Sequence, residues 1–382
     1  MKKKVAAITS SRADYSHLYW PLKLLEADAE IELTIVAMAA HMSPEYGNTW
    51  QEIAAENFSH IETIECLLSS DTDLGMAKSL GLATLSLADK LAQLKPDLVL
   101  IIADRYEMLA PANVALTLRI PILHIEGGDI SEGAIDDAVR NALTKMSHIH
   151  FTPTEKAKQR VLAMGEEGWR VHFSGAPSLD HIAKSAIKNK QEVIQQLDLQ
   201  NNLPIVVVAL HSVTLLKDTT IEVDSLFSAL SEHAVQYVFC FPNADSGSHI
   251  IMQNAQQFCD RHANSQLCVN LDPVSYFSLL ASADCMIGNS SSGIMETPSF
   301  CLPTINIGLR QKGREQAKNI IDVKADKKAI STAITQALST EFRESIKDTI
   351  NPYGNGDASV IIRDVIKSLP ERDVLLFKKN QL

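Results

Sequence analysis

Short apolar runs alternate with segments of helical periodicity along the first half of the chain. Four apolar runs with breakers at their edges predict buried strands: 5–8, 31–37, 98–102 and 122–125. Three stretches of helical periodicity predict helices: 18–25, 76–94 and 135–146. Strands that alternate with helices indicate a parallel sheet that is covered on both faces.

The alternation restarts after Phe173–Ser178. We expect a helix over Asp180–Leu197, and further apolar runs predict strands: 205–210, 237–241, 267–270 and 285–287. The predicted fold class is therefore α/β, with two doubly wound Rossmann-like domains that face a cleft. We expect an N-terminal domain at 1–178, a C-terminal domain at 179–360 and a closing helical segment at 361–382.

The amino-acid composition and net charge argue against several classes of protein. The 382 residues are 46% hydrophobic and 21% charged, which is typical of a chain that buries sizeable cores and is not disordered. A net charge of −11 argues against a nucleic-acid scaffold, although a few arginines in a cleft could still bind an anionic ligand. The apolar run after Lys2–Lys4 is too short for a signal peptide, and no run reaches the roughly 20 residues of a membrane span. We therefore expect a cytoplasmic protein.

Cysteine and histidine positions give little support for a metal site. The six cysteines lie at 66, 240, 259, 268, 285 and 301, without a C-x-x-C pair, which favours buried reduced thiols over disulfides or zinc. His148 and His150 alternate along a predicted strand and should face opposite sides, so they do not make a pair of ligands. No metal site is predicted.

The loop after the first strand reads Thr9-Ser10-Ser11-Arg12, followed by Ser16 and a histidine. Small hydroxyl residues at a helix N-terminus could leave backbone N–H groups free for an anion, with Arg12 adding a charged fork. An ordinary serine or aspartate N-cap with a surface arginine explains the same residues equally simply. The sequence alone leaves both interpretations open.

Three carboxylates follow predicted strands of the first half. Asp104 comes directly after 98–102 and is followed by Arg105, Glu126 comes directly after 122–125, and Asp136 stands four residues before Arg140 on one helix face. Because ligands collect at the carboxyl ends of parallel strands, we expect the trio to converge on one sheet edge. Clustered carboxylates shift one another's pKa values, which suits paired acid and base roles. Asp104–Arg105 could instead be a simple buried ion pair.

Strand-end residues of the second half suit a nucleotide. His211 follows one predicted strand and could donate to a phosphate, although a capping or core histidine explains it as well. Asn243 lies in the loop after another predicted strand and could contact a base or ribose. The segment Gly288–Gly293 ("GNSSSG") should place Ser290 and Ser291 at the N-terminus of a helix, where their N–H groups and hydroxyls could form an anion cradle. Glu296, one turn further into that helix, could bind a sugar diol, and Arg310 would add a cation close by. This combination favours a nucleoside diphosphate. Neither a Walker motif nor a strict G-x-G-x-x-G pattern is present.

Several ordered motifs resemble those of one enzyme family. They are "SSRADYSHLYWPL", "DRYEML", "HIEGGDISEGAIDDAVRNALTKMSHIHF", "GNSSSGIMETPSF" and "INIGLRQKGREQAKN". Together they resemble UDP-N-acetylglucosamine 2-epimerases over about residues 5–365, and within them the hydrolysing branch that serves sialic-acid-type sugar synthesis. The resemblance implies the two-domain GT-B fold, with UDP-sugar in the interdomain cleft and a last helix that crosses back to the first domain.

The resemblance also implies a reaction and a set of site residues. UDP-N-acetylglucosamine would lose UDP by anti elimination, and hydration of the 2-acetamidoglucal would give N-acetylmannosamine, without a redox cofactor or metal. Asp104, Glu126 and Asp136 match the acid/base carboxylates of the family, in roles left open. The positions that match UDP-sugar binding are Arg12, Ser16, Arg105, Arg140, His211, Asn243, Ser290, Ser291, Glu296 and Arg310.

Other functions remain open from the sequence. A hydrolysing 2-epimerase of UDP-2,4-diacetamido-2,4,6-trideoxyglucose would use the same chemistry, a GT-B glycosyltransferase would share the UDP cradle, and a UDP-sugar sensor would bind without turnover. The expected partners are a UDP-sugar and further copies of the chain, as a homodimer or homotetramer, with neither nucleic acid nor a membrane.

Overall fold

The computed structural model describes residues 2–70, 72–130, 135–200, 202–211, 220–241, 249–269 and 271–381. The chain divides into two compact units. Unit 1 comprises Met1–Asp129, Ile135–Asp180 and Tyr353–Leu382, and unit 2 comprises Ile130–Ala134 and His181–Pro352.

Each unit is built on a parallel sheet. The strands of unit 1 are β1 (Lys3–Thr9), β2 (Ile31–Met38), β3 (Ile61–Ile64), β4 (Leu98–Ile102), β5 (Ile122–Ile125), β6 (Ile149–Thr152) and β7 (Val171–Phe173). Those of unit 2 are β8 (Ile205–Ala209), β9 (Gln236–Phe241), β10 (Ser265–Val269), β11 (Cys285–Gly288), β12 (Thr304–Ile307) and β13 (Ile320–Val323). Among the described residues their orders are β3-β2-β1-β4-β5-β6-β7 and β10-β9-β8-β11-β12-β13. Both orders reverse direction once, between β1 and β4 and between β8 and β11, as doubly wound folds do.

Helices connect these strands. They are α1 (Arg12–Ala27), α2 (Trp50–Ala55), α3 (Asp73–Leu94), α4 (Leu109–Thr117), α5 (Ile135–Met146), α6 (Glu155–Ala163), α7 (Leu179–Lys184), α8 (Lys190–Gln196), α9 (Thr220–Leu230), α10 (His249–Arg261), α11 (Pro273–Ser282), α12 (Ser292–Met295), α13 (Lys327–Leu338), α14 (Thr340–Ser345), α15 (Ala358–Ser368) and α16 (Arg372–Leu376). No helix in the described part of the chain has the length and apolarity needed to cross a membrane.

Alternate residues of each strand enter opposite apolar layers. In β1, Val5 and Ala7 pack in one core of unit 1, whereas Ala6 and Ile8 pack in the other. Burial on both faces explains why these strands are continuous apolar runs rather than alternating ones. The predicted bounds of β4, β5 and α5 are confirmed residue for residue.

The single helix expected over 180–197 is wrong. The structure forms two helices there, α7 and α8, and a new N-cap starts the second one. The Asn189 side chain accepts from the Glu192 N–H at 3.1 Å, and the Glu192 carboxylate accepts from the Asn189 N–H at 2.8 Å. This capping box satisfies N–H groups that a continuous helix would have paired, so it favours a break at Asn189.

Helix α15 returns the chain to unit 1. Its residues Ile362 and Ile366 are fully buried in the same apolar layer as Val5 and Leu18. At its start, the buried Asp180 carboxylate accepts from the backbone N–H groups of Ala358 and Ser359, both at 3.0 Å. A carboxylate on these N–H groups satisfies donors that a helix leaves unpaired and complements its dipole. The end of the chain is therefore part of the first sheet's core.

Candidate functional site

Strands β4 and β5 end in the same unusual backbone turn. Ala103 and Glu126, the residues after each strand, are left-handed, with φ of 58° and 64°. The Ala103 N–H donates to the Ile125 carbonyl at 2.9 Å, and the Glu126 N–H donates to the Phe151 carbonyl at 2.8 Å. Left-handed residues other than glycine are uncommon and concentrate at functional sites. The turns place Asp104 and Glu126 at one edge of the sheet, beside its switch point.

A buried arginine holds Asp104. The Arg140 guanidinium forms an ion pair with the Asp104 carboxylate, and the two side chains are 3% and 21% exposed. Helix α5 supplies Arg140 and carries Asp136, half-buried, one turn earlier. The alternative that Asp104 pairs with its neighbour Arg105 is wrong, because Arg105 pairs with Glu107 at 2.9 Å. A buried carboxylate needs such a cation, because burying its charge unpaired is costly.

A histidine that sequence reasoning missed contacts Glu126. His17 Nδ1 lies 2.8 Å from Glu126 Oε1, with both side chains largely buried. His17 stands in α1, directly after the Arg12–Ser16 motif, so its sequence position was a usable signal. The long-range contact was not readable, because only sheet order brings the helix after β1 over the end of β5.

The start of α1 contains the ordinary cap that the sequence left open. The Ser11 hydroxyl accepts from the Asp14 N–H at 3.4 Å, and the buried Asp14 carboxylate accepts from the Ser10 N–H at 3.1 Å. Burial raises the pKa of Asp14, and the Arg105 charge opposes that shift. Arg12 lies 3.5 Å from the Glu52 carboxylate, and Ser16 is half-buried one turn on. Anion binding by Arg12 and Ser16 stays a prediction.

In unit 2, the segment after β11 is tied down by its own residues. The Asn289 side chain accepts from the His211 N–H at 2.7 Å and donates to the His211 carbonyl at 2.8 Å. The Asn289 carbonyl accepts from Arg310 Nη1 at 2.9 Å and from Gln311 Nε2 at 2.8 Å. Asn289 thus joins the ends of β8 and β11 and the loop after β12. Sequence reasoning missed Asn289 and Gln311 as supports of this edge.

Serines 290 and 291 lie on the partly exposed side of this segment. Ser290 Oγ accepts from the Ser292 N–H at 3.3 Å, and Ser292 Oγ accepts from the Tyr276 hydroxyl at 2.8 Å. Among the described residues, the backbone N–H groups of Ser290 and Ser291 donate to no protein atom. They are the donors that a bound anion could use.

The sequence analysis expected Glu296 one turn inside a helix, and this expectation is wrong. Helix α12 ends at Met295, and the buried Glu296 is its C-cap. The Thr297 hydroxyl donates to the Gly293 carbonyl at 2.6 Å, occupying the acceptor that a continuing helix would use, and Pro298 disfavours helical backbone before it. A single turn has little dipole, so the predicted anion binding would depend on individual N–H groups, the serines and Arg310.

His211 completes this edge. Burial and the nearby Arg310 charge lower the pKa of His211 to about 3, so the imidazole is neutral at physiological pH. A neutral imidazole has one N–H donor and one acceptor. Asn243 lies outside the described residues.

The described residues offer little to a metal ion. They contain no group of three histidine, cysteine, aspartate or glutamate side chains placed to hold one. His148 Nδ1 accepts from the Ile122 N–H at 3.0 Å, and His150 Nε2 lies 3.1 Å from Glu166. Four of the six free cysteines are buried, whereas Cys259 and Cys301 are partly exposed.

Comparison with known proteins shows which family the chain resembles. The family model described as UDP-N-acetylglucosamine 2-epimerase matches residues 23–367. A GDP/UDP-N,N'-diacetylbacillosamine 2-epimerase (hydrolyzing) of Campylobacter jejuni is 37% identical over 347 residues, which are 90% of each chain. A UDP-N,N'-diacetylbacillosamine 2-epimerase (hydrolyzing) of Legionella pneumophila is 35% identical over 381 residues, with complete coverage of both chains.

The fold agrees with a solved structure of the family. The crystal structure of UDP-GlcNAc 2-epimerase from Neisseria meningitidis bound to UDP-GlcNAc matches with a TM-score of 0.81 at 19% identity, over 96% of this chain and all of that one. The family match covers most of the chain, and the two parallel-sheet units have the GT-B-like arrangement of strands expected from the resemblance. The chain therefore belongs to the UDP-N-acetylglucosamine 2-epimerase family.

Proposed function

We propose that the protein is a hydrolysing 2-epimerase whose substrate is UDP-2,4-diacetamido-2,4,6-trideoxyglucose. The observation that carries the reaction type is the pair of carboxylates, Asp104 and Glu126, at the ends of neighbouring strands beside the switch point of unit 1. Each contacts a basic side chain, Arg140 or His17. Carboxylates that are ordered in this way suit the two proton transfers of an epimerisation.

The reaction balances with water alone. A carboxylate takes the proton from C2 of the sugar, and the C1–O bond to the diphosphate breaks with both electrons leaving on UDP. The resulting 2-acetamidoglucal then gains the oxygen of a water molecule at C1 and a proton at C2 on the opposite face. Asp104, Glu126 and Asp136 share the proton transfers to and from C2 and water. The overall reaction is redox-neutral.

UDP is the leaving group, so its binding site must stabilise the charge that develops on the diphosphate. Ser290 and Ser291 supply N–H donors, while Arg310 and the neutral His211 add a cation and a further donor. Glu296 is proposed to bind the ribose diol. From unit 1 we propose Arg12, Ser16 and Arg105, and Asn243 completes the set.

The choice of sugar rests on the relatives. The two hydrolysing relatives, at 37% and 35% identity, are named for N,N'-diacetylbacillosamine, the 2,4-diacetamido-2,4,6-trideoxy sugar. This favours the diacetamido substrate over UDP-N-acetylglucosamine, which the family description and the structural relative support as a second candidate.

Product analysis tests the proposal. The purified protein is incubated without acceptor with UDP-diacetamidotrideoxyglucose, its GDP counterpart or UDP-N-acetylglucosamine in D₂O, and the products are identified by NMR. We expect free nucleotide and the 2-epimeric free sugar with deuterium at C2, fastest with the UDP-diacetamido sugar. Faster turnover of UDP-N-acetylglucosamine would reverse the choice of sugar. Turnover only after an acceptor is added would indicate a glycosyltransferase, and tight binding without product a sensor.

Assembly and location stay predictions. The expected homodimer or homotetramer is measured by light scattering with a size-exclusion column, and the expected cytoplasmic location by cell fractionation.

A further inference from the structure

Ala103 determines where Asp104 points, and its backbone conformation is one that an alanine rarely adopts. A residue at φ of 58° keeps that conformation only where the surroundings over-determine it. The Ala103 N–H is held by the Ile125 carbonyl at 2.9 Å, through the ladder between β4 and β5. What holds the other side of the turn is a side chain.

That side chain is His124. Its Nε2 lies 2.9 Å from the Ala103 carbonyl oxygen, and the residue is completely buried on β5. A carbonyl oxygen only accepts, so the imidazole must carry its hydrogen on Nε2. The turn before Asp104 is therefore held by β5 on both sides, by one backbone carbonyl and one imidazole N–H.

The imidazole has little freedom to move. A side chain at Gly127 would stand 3.0 Å from His124 Nδ1, so the chain has a glycine where the ring lies. On the other side, Thr144 Oγ1 is 3.4 Å from Nδ1 and donates to the Arg140 carbonyl at 2.8 Å. Arg140 in turn pairs with Asp104. His124, Thr144 and Arg140 are thus linked by successive contacts, and the last of them pairs with the Asp104 carboxylate.

The ring is suited to holding rather than to transferring a proton. Burial, together with the neighbouring His150 and Arg140, lowers the pKa of His124 to about 3, although the Ala103 carbonyl and Glu126 oppose the shift. The imidazole thus stays neutral over the working pH range of an enzyme. Its only proton is directed at a carbonyl, which is not a proton acceptor in catalysis.

We infer that His124 is a positioning residue for the proposed epimerisation: its Nε2–H fixes the left-handed turn at Ala103 and so the orientation of Asp104. The inference rests on the proposed function, because it concerns the carboxylate assigned to that reaction.

Two substitutions test the hydrogen bond directly. H124L removes the donor and should lower kcat by about 10- to 100-fold, the usual effect of misplacing a reactive group or losing its outer support. H124Q keeps an N–H near the Nε2 position and should recover to within about 5-fold of the wild type. KM and UDP affinity should change less than kcat in both, and the pH profile should keep its shape.

A matched control separates this role from burial alone. His148 is also buried and neutral, but its ring accepts from Ile122 at the opposite, amino end of β5. H148L should lower the melting temperature while the kcat of the folded enzyme stays within about 2-fold of the wild type. Equal losses of kcat in H148L and H124L would overturn the inference, as would wild-type kcat in H124L or no recovery in folded H124Q.

Histidine ¹⁵N NMR of the wild-type protein gives a readout independent of turnover and of mutant folding. The signal of His124, assigned by correlating its ring nitrogens with its backbone resonances, should show the neutral Nε2–H tautomer from pH 5 to pH 8. The Nδ1–H tautomer or titration in that range would contradict the inference. A wild-type enzyme that converts none of the nucleotide sugars, yet shows this tautomer, would refute the proposed function instead.

Discussion

Gly288, at the end of β11, has no room for a side chain. Its φ is 144°, and an added Cβ would stand 1.9 Å from the Ala209 carbonyl oxygen on β8, where real contacts stop near 3.0 Å. Gly288→Ala must therefore part the two strands by about 1.1 Å, the difference between these distances. That movement strains the hydrogen bond from the Asn289 N–H to Ala209, at 3.1 Å, and the one from His211 to Asn289, at 2.7 Å.

The size of the destabilisation by Gly288→Ala follows from these contacts. Backbone strain at such a φ costs about 1–3 kcal/mol, and two weakened hydrogen bonds add about 1 kcal/mol each. We expect Gly288→Ala to lower the free energy of unfolding of unit 2 by about 3–5 kcal/mol, which corresponds to a fall in Tm of roughly 10–15 °C. UDP affinity should fall as well, because Ser290 and Ser291 follow the displaced strand end.

Calorimetric unfolding with and without UDP measures both effects. Gly81→Ala is the matched control, because Gly81 lies inside α3 with nothing within 4 Å of an added Cβ. That variant should be more stable by about 0.5–1 kcal/mol. A Gly288→Ala protein with the Tm and UDP affinity of the wild type would refute this account of the β8–β11 contact.

Three further predictions concern catalysis, binding and pH. Glu126→Gln should lower kcat by about 10² or more without loss of fold, whereas wild-type turnover would remove Glu126 from the mechanism. Arg310→Ala should weaken UDP binding in a calorimetric titration, and an unchanged Kd would contradict its assignment. Burial lowers the pKa of His41 and His148 to about 4 and that of His124 and His211 to about 3, so as the pH falls below about 6.5 the unfolded chain binds up to one more proton at each of these histidines than the folded chain does. The free energy of unfolding should therefore fall as the pH is lowered, by up to about 1.4 kcal/mol per pH unit for each of these histidines, and equal urea midpoints at pH 7.5 and pH 5.5 would contradict this.

Sequence periodicity predicted most elements of the fold, because buried parallel strands are apolar along their whole length. Leu98–Ile102 and Ile122–Ile125 were predicted with their observed bounds. The one long helix over 180–197 was wrong, although Asn189 and Glu192 show the spacing of a capping box. Apolar periodicity continues through such a break, so it cannot reveal one; the capping residues can.

The unit 2 segment shows where sequence reasoning misread small residues. Gly288 and Gly293 bound the predicted anion cradle, yet Gly288 faces Ala209 and an added Cβ at Gly293 would stand 3.0 Å from Thr304. Asn289 looked like part of a cradle, but its side chain joins the chain at His211. A glycine or asparagine is used alike for packing and for ligands, and only its neighbours distinguish the two.

The sequence by itself determined that Asp104 and Glu126 end neighbouring buried strands, because strand bounds are local and the carboxyl edge of a parallel sheet collects its loops. Tertiary structure alone decided their partners. His17 meets Glu126 across 109 residues and Arg140 meets Asp104 across 36, and Ala103 takes a left-handed turn that its sequence does not favour. These contacts depend on strand order and helix packing, which arise from the whole core rather than from any local stretch of residues.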